Sequence, residues 1–188
     1  MKDYHTYRWF YTSTGKLVLG GKNARQNDEP MSAFSTKDRF VMHTEEPGSP
    51  FCIIDADKNK VNNEDLKECA IFTGCFSKAW KEGKKETIVD IFMTGQTNKT
   101  KDMKEGTWGV KGKIKKVKVP LKLVLTKQKG TYRAVPEGSA KKKLFTICPG
   151  PTKKETMVHK FNVELRDQKL TQEQLLAALP AGGVRICR

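Results

Sequence analysis

Lysine dominates the chemistry open to this chain. Eleven lysines fall between Lys99 and Lys129, against one Asp and one Glu, a net charge of +9. Ammonium groups at this density can neutralise the phosphates of a nucleic acid and release its condensed counterions. Lys111, Lys113 and Lys115 alternate with other residues, and Val117, Val119, Leu121, Leu123 and Leu125 continue the spacing. That period of two predicts a strand from Lys111 to Leu125 with one wet and one buried face. Lysines along a strand also blunt a sheet edge, so the run alone leaves both readings open. Trp108 stands within the run among Gly106, Gly109 and Gly112. It is a candidate stacking platform for a base, with a plain covering role for the sheet as the alternative.

Other chemistries are weaker. His43 ends an apolar strand two residues before Glu45, which an acid/base pair could use. His5 and His159 are remote in sequence, and no second ligand stands at metal spacing. Asp55, Asp57 and Asn59 imitate the start of a calcium loop. Lys60, however, replaces the required glycine and Leu66 the closing glutamate. No nucleophile elbow and no P-loop occurs in the sequence. Catalysis is therefore assigned to no residue, and no metal or cofactor is expected.

The charge has a direction. Over the whole chain it is +15, yet residues 1–98 carry 14 basic and 14 acidic residues, and residues 99–188 carry 22 and 7. A half that holds the entire imbalance points to a polyanionic partner. No apolar run approaches the roughly eighteen residues that would span a bilayer, and the basic stretch is strand-like rather than amphipathic helix, so no membrane partner is expected. The apolar fraction of 37% is well clear of disorder. Cys52, Cys69, Cys75, Cys148 and Cys187 are odd in number and form no CxxC. They read as reduced, mostly buried thiols of a cytoplasmic protein.

The elements that must position these residues follow from pattern. Tyr7–Thr12 and Lys16–Leu19 predict a hairpin, and Asn23 opens a short helix after Gly20-Gly21. Arg39–Thr44, Phe51–Asp55 and Glu86–Phe92 are strands. A helix runs from Asn62 or Asn63 to about Lys81, with Leu66, Cys69, Ala70, Thr73, Phe76 and Trp80 on its inner face. Leu121–Thr126 and Thr131–Val135 form a second hairpin, and Leu144–Cys148 a strand before the turn Pro149-Gly150-Pro151. His159–Leu165 predicts a strand and Thr171–Leu179 a capped helix.

Several of these stretches fit one family. Gly20-Gly21-Lys22-Asn23-Ala24-Arg25-Gln26-Asn27-Asp28 resembles the glycine-rich signature of the NFACT-R domain of ribosome-associated quality-control proteins. Phe40–Glu45, Gly48-Ser49-Pro50, Ser77-Lys78-Ala79-Trp80, Gln96–Thr100 and Gly106–Lys113 resemble its further motifs, in order, over roughly residues 7–115. The remainder is similar to the tail of short stand-alone archaeal members. Glu45 departs from the family's Asp, and Lys78 and Lys111 from its Arg. Lysine keeps charge but loses the planar fork, which favours backbone contact over base readout.

The expected fold is α+β. A curved, mostly antiparallel sheet with two helices forms a domain over residues 1–119, and a basic strand–helix extension covers residues 120–188. The resemblance implies a cytoplasmic, non-enzymatic module for structured RNA, either rRNA or tRNA, on the large ribosomal subunit. Lys99, Lys101, Lys104, Lys111, Lys113, Lys115 and Lys116 are candidate phosphate contacts, and Lys22, Arg25 and Lys78 are further candidate RNA contacts. Gln26, Asn27 and His43 would form a polar patch beside Trp108. The competing expectation is an RNA-processing or RNA-modifying enzyme using His43 and Glu45.

Overall fold

The computed structural model describes residues 3–165 and 170–187. The chain opens with the hairpin β1 (Arg8–Tyr11) and β2 (Leu17–Gly20). Asn23 then caps α1 (Ala24–Ala33), its side chain accepting from the Gln26 N–H. β3 (Phe40–Thr44) and β4 (Cys52–Ile54) precede α2 (Asn63–Cys75). A reciprocal capping box starts α2: the Asn62 side chain accepts the Asp65 N–H and Asp65 accepts the Asn62 N–H. α3 (Lys78–Lys81), β5 (Glu86–Met93), β6 (Thr97–Asn98), β7 (Gly109–Val110) and β8 (Lys115–Pro120) follow. The chain continues through β9 (Leu123–Gln128), β10 (Thr131–Val135), β11 (Phe145–Thr152), α4 (Lys154–Glu164), α5 (Gln172–Ala178) and β12 (Val184–Ile186).

Six strands form the first sheet, in the order β1-β2-β4-β3-β5-β8, and four form the second, β10-β9-β11-β12. β6 and β7 make a small separate pair. Every strand pairing among the described residues is antiparallel, so the α+β expectation stands. Pleating sends alternate residues of the first sheet to opposite faces, and both faces are buried. Trp9, Leu19, Val41, Ile53 and Phe92 pack with Met31 and Phe34 of the α1 side. Phe10, Val18, Met42, Ile54 and Ile91 pack with α2, α3 and the inner face of the second sheet in one continuous cluster.

The edge of the first sheet is closed by a side chain. Gln128 on β9 accepts from the Tyr11 N–H at 2.7 Å and donates to the Tyr11 carbonyl at 2.8 Å. It supplies the bonds that a neighbouring strand would give to an otherwise open edge.

Five expectations are corrected. The helix expected to run to Lys81 breaks at Phe76, and Ser77 caps α3 by accepting from the Ala79 N–H. Trp80 nevertheless lies in the core, as its spacing implied, and donates from Nε1 to the Gly183 carbonyl at 3.0 Å. The strand expected from Lys111 to Leu125 is two strands, β8 and β9, separated by Leu121 and Lys122. Pro149-Gly150-Pro151 is not a turn but lies inside β11, where the register with β12 shifts. Cys148 and Cys187 are disulfide-bonded rather than reduced, joining β11 to the residue after β12; Cys52, Cys69 and Cys75 are free and buried.

His159–Leu165 belongs to α4 and its end rather than to a strand. Phe161, Val163 and Leu165 alternate as a strand would, but Met157 and Phe161 are also one helical turn apart. The helix buries that pair and leaves Val163 64% exposed. Phe161→Ala is therefore expected to cost about 3–5 kcal/mol of stability, and Val163→Ser less than about 0.5 kcal/mol. Equal losses in denaturant titrations would contradict the helix.

Candidate nucleic-acid interface

The motif residues converge on one cleft of about 840 Å³ between α1, the end of β3, α3 and the loop that carries Trp108. Gly21, Lys22, Asn23 and Asn27 form one wall; His43, Gly48, Ser49 and Phe51 form another. Ser77, Lys78 and Lys81 contribute from α3, and Gly106, Thr107 and Trp108 close the mouth.

Asp28 is the residue that assembles the mouth. Its carboxylate accepts from Trp108 Nε1 at 2.7 Å, from the Gly106 N–H at 3.0 Å and from Lys99 Nζ at 3.1 Å. Burial alone would push this carboxyl up, but the Gly106, Lys99 and Trp108 donors outweigh it and hold it below its ordinary 3.8. Lys99 Nζ also donates to the carbonyls of Lys104 and Thr107, at 2.8 and 2.9 Å. Gly106 makes this folding possible: its φ is +78°, and a Cβ there would sit 2.8 Å from Ala24 Cα. Gln96 sews the other side, donating from Nε2 to the carbonyls of Lys111 and Lys113.

These contacts sort the expected site residues. Lys99 serves as an internal staple, not a free phosphate ligand, because its ammonium is surrounded by protein acceptors. Lys116 is similarly engaged, bridging Glu45 at 2.7 Å and Asp90 at 3.0 Å. Arg25 pairs with Glu29 on the exposed face of α1, and Lys78 with Glu82 at the cleft. Gln26 accepts from the Lys22 N–H and so serves the backbone. Asn27 lines the cleft, and its Oδ1 is buried without a hydrogen-bond partner, an acceptor that a ligand donor could satisfy. Trp108 is half-buried, held by Asp28 and packed beside Val110 and Ile114. Lys101, Lys104, Lys111, Lys113 and Lys115 are exposed, on and around the Glu105–Ile114 segment that contributes to the cleft, and no carboxylate holds any of them among the described residues.

His43 and Glu45 do not meet as an acid/base pair. His43 Nδ1 lies 2.7 Å from the Thr44 carbonyl, and its ring packs against Phe51 with centroids 4.6 Å apart. Burial lowers its pKa from the ordinary 6.5, with the Thr44 contact and Asp90 opposing, which leaves the ring neutral near pH 7. The Glu45 carboxylate turns instead to Lys116. Neutral His43 can offer Nε2 as an acceptor to a ligand in the cleft.

Sequence reasoning missed Arg8. It pairs across the hairpin with Gly20, donates from Nη1 to the Gly21 carbonyl and lies over the Phe76 ring at 5.5 Å. Its guanidinium lines the cleft, and burial lowers its pKa. The signal was available: a lone arginine in the apolar strand Tyr7–Thr12, facing the first glycine of the Gly-Gly pair.

The same residues carry the likeness to known proteins. The family model described as the NFACT protein RNA binding domain matches residues 6–112. The archaeal Rqc2 homolog aRqcH of Methanocaldococcus jannaschii is 26% identical over 199 residues, covering 100% of this chain. The chain spans 30% of that relative's length. Among solved structures, the C-terminal part of the fibronectin/fibrinogen-binding protein from Streptococcus suis superimposes with a TM-score of 0.54 at 23% identity. That match covers 61% of this chain and 45% of the other, and it supports the fold. With more than half of the chain inside the family model and its motif residues gathered at one cleft, the chain belongs to the NFACT RNA-binding domain family.

Proposed function

We propose that the chain binds structured RNA, rRNA or tRNA on the large ribosomal subunit, as a non-enzymatic cytoplasmic module in ribosome quality control. The observation that carries this reading is the cleft itself. The matched motifs line it, and exposed lysines, without carboxylate partners among the described residues, lie on and around the chain segment that supplies Trp108 to it. Lys101, Lys104, Lys111, Lys113 and Lys115 bring charge to the phosphate backbone, and Trp108, Phe51 and neutral His43 offer apolar and polar contacts inside. Phosphate contacts of this kind position an RNA, while contacts within the cleft select which nucleotide enters.

The test is fluorescence anisotropy with tRNA and with rRNA fragments across a salt series. The slope of log K against log salt should flatten by about 0.7–0.9 for each contacting lysine replaced by alanine. A five-lysine variant with an unchanged slope would remove this reading. Co-sedimentation of the protein with 50S rather than 30S particles tests the assignment to the large subunit.

A further inference from the structure

The disulfide between Cys148 and Cys187 is at odds with a cytoplasmic setting, where thiol reductants keep accessible pairs open. Both cysteines are half-buried, so neither sulfur is sealed in the core. Cys52, Cys69 and Cys75 are different. They are buried, and burial pushes their thiols up, which keeps them protonated and poor partners for exchange. Thiol–disulfide chemistry is thereby confined to the one pair.

The bond fastens a weak element. β12 forms one edge of the second sheet and pairs with β11 alone, and of its residues only Val184 is buried. Cys148 stands opposite Arg185, and Cys187 donates its N–H to the Thr146 carbonyl at 2.9 Å. So short a terminal strand frays unless something ties it down. What precedes β12 reaches the cleft. The Gly183 carbonyl accepts from Trp80 Nε1 at 3.0 Å and from the Gly150 N–H at 3.3 Å. Gly182, at φ +117°, lies so close to α3 that a Cβ there would meet Lys81 Cα at 3.0 Å. Ala181 itself lines the cleft, as do Lys78 and Lys81 of the same helix α3 that carries Trp80. The short run from Ala181 to Cys187 thus joins the disulfide to the α3 wall.

We propose that the Cys148–Cys187 disulfide is a redox switch that fastens the α3 wall of the RNA cleft. With the bond formed, β12 is held and the wall is fixed for RNA. With the bond open, β12 frays, Gly183 leaves Trp80 for part of the time and the wall loosens. The switch rests on the RNA-binding reading and names its regulation. The reductant is a dithiol. One of its thiolates attacks a sulfur of the pair, and the electrons of the broken S–S bond leave with the other cysteine, which takes up a proton. The second thiolate of the reductant then displaces the first cysteine from the mixed disulfide. Two cysteine thiols form, and the dithiol ends as its own disulfide.

The test compares the full oxidised chain, the same chain after dithiothreitol, and a Cys148→Ser/Cys187→Ser variant. Alkylation after denaturation should count three free thiols in the oxidised chain and all five cysteines in the reduced one. Reduction opens a cross-link between residues 39 apart, so the thermal midpoint should fall by about 6 °C or more while native circular dichroism is kept. Hydrogen exchange at Val184–Ile186 and at Trp80 Nε1 should accelerate. Binding of tRNA should weaken about threefold or more, as when the fastened wall drops to about a third of the population. The variant should match the reduced chain in each reading and ignore dithiothreitol. A disulfide that resists dithiothreitol in the native protein overturns the switch. So does reduction that leaves exchange at Trp80 unchanged, or that speeds it without weakening tRNA binding. Reduction that unfolds the chain would make the bond a structural staple and equally overturn it. If the oxidised chain binds no RNA while reduction still speeds exchange at Trp80, the RNA reading fails and the fastening of the wall stands.

Discussion

Replacing Asp28 with alanine is expected to destabilise the protein by about 2–4 kcal/mol and to release the loop that carries Trp108. Three donors converge on that carboxylate: Trp108 Nε1, the Gly106 N–H and Lys99 Nζ. Removing it strands an ammonium and an indole N–H in a half-buried setting, which is the costly way to break a hydrogen-bonded pair. Hydrogen exchange at Gly106 and Trp108 should accelerate in the same variant. A denaturant midpoint within about 0.5 kcal/mol of wild type would show that Asp28 is not the organiser. Acid should reproduce the effect. The folded pKa is depressed below 3.8, so the stabilisation is fully present above the unfolded value and is lost as pH falls through the folded one. Asp28→Asn should keep only one of the two neutral contacts, because its amide nitrogen donates where the second oxygen accepted, and should lose the ion pair with Lys99 and most of this acid dependence.

The second large effect is expected at Gly21→Ala. A Cβ at that position would lie 2.3 Å from Asn27 Oδ1 and 2.6 Å from the Asn27 backbone nitrogen. The side chain could swing aside, but the backbone nitrogen belongs to the first turn of α1 and donates to the Asn23 carbonyl at 3.0 Å. The helix start must therefore move, at a cost of about 1–3 kcal/mol. RNA affinity should fall by more than tenfold because Lys22, Asn27 and the Gly21 carbonyl held by Arg8 all shift together. An alanine variant that binds as wild type does would mean that this wall of the cleft plays no part in recognition.

Much of the fold could be read locally. Asn23, Asn62 and Thr171 each accept from a backbone N–H at a helix start, and such caps act within a few residues of sequence. The hairpin of β1 and β2 and the apolar strands of the first sheet were legible for the same reason. The site was legible only in part. The family motifs named the residues that line the cleft, but not which of them bind and which build. Lys99 reads as a free cation in any local window, and only the fold brings it to Asp28. Arg133 lies in a stretch with no motif, and its packing over the Trp9 ring depends on how the two sheets meet. Pro149-Gly150-Pro151 has the composition of a turn, yet pairing with β12 across a register shift holds it extended. The pairing of Cys148 with Cys187 depended likewise on where β11 and β12 come together, not on spacing.

The reach of Asp28 also sets an order of events. Its partners stand 71, 78 and 80 residues further along the chain, so each contact closes a long loop. Hairpins and helices whose bonds span only a few residues can form well before such closures. Up to the point at which Trp108 has been synthesised, a growing chain can carry α1 and most of the first sheet but no mouth to the cleft. The mouth of the cleft is thus completed late, after the apolar framework that must hold it.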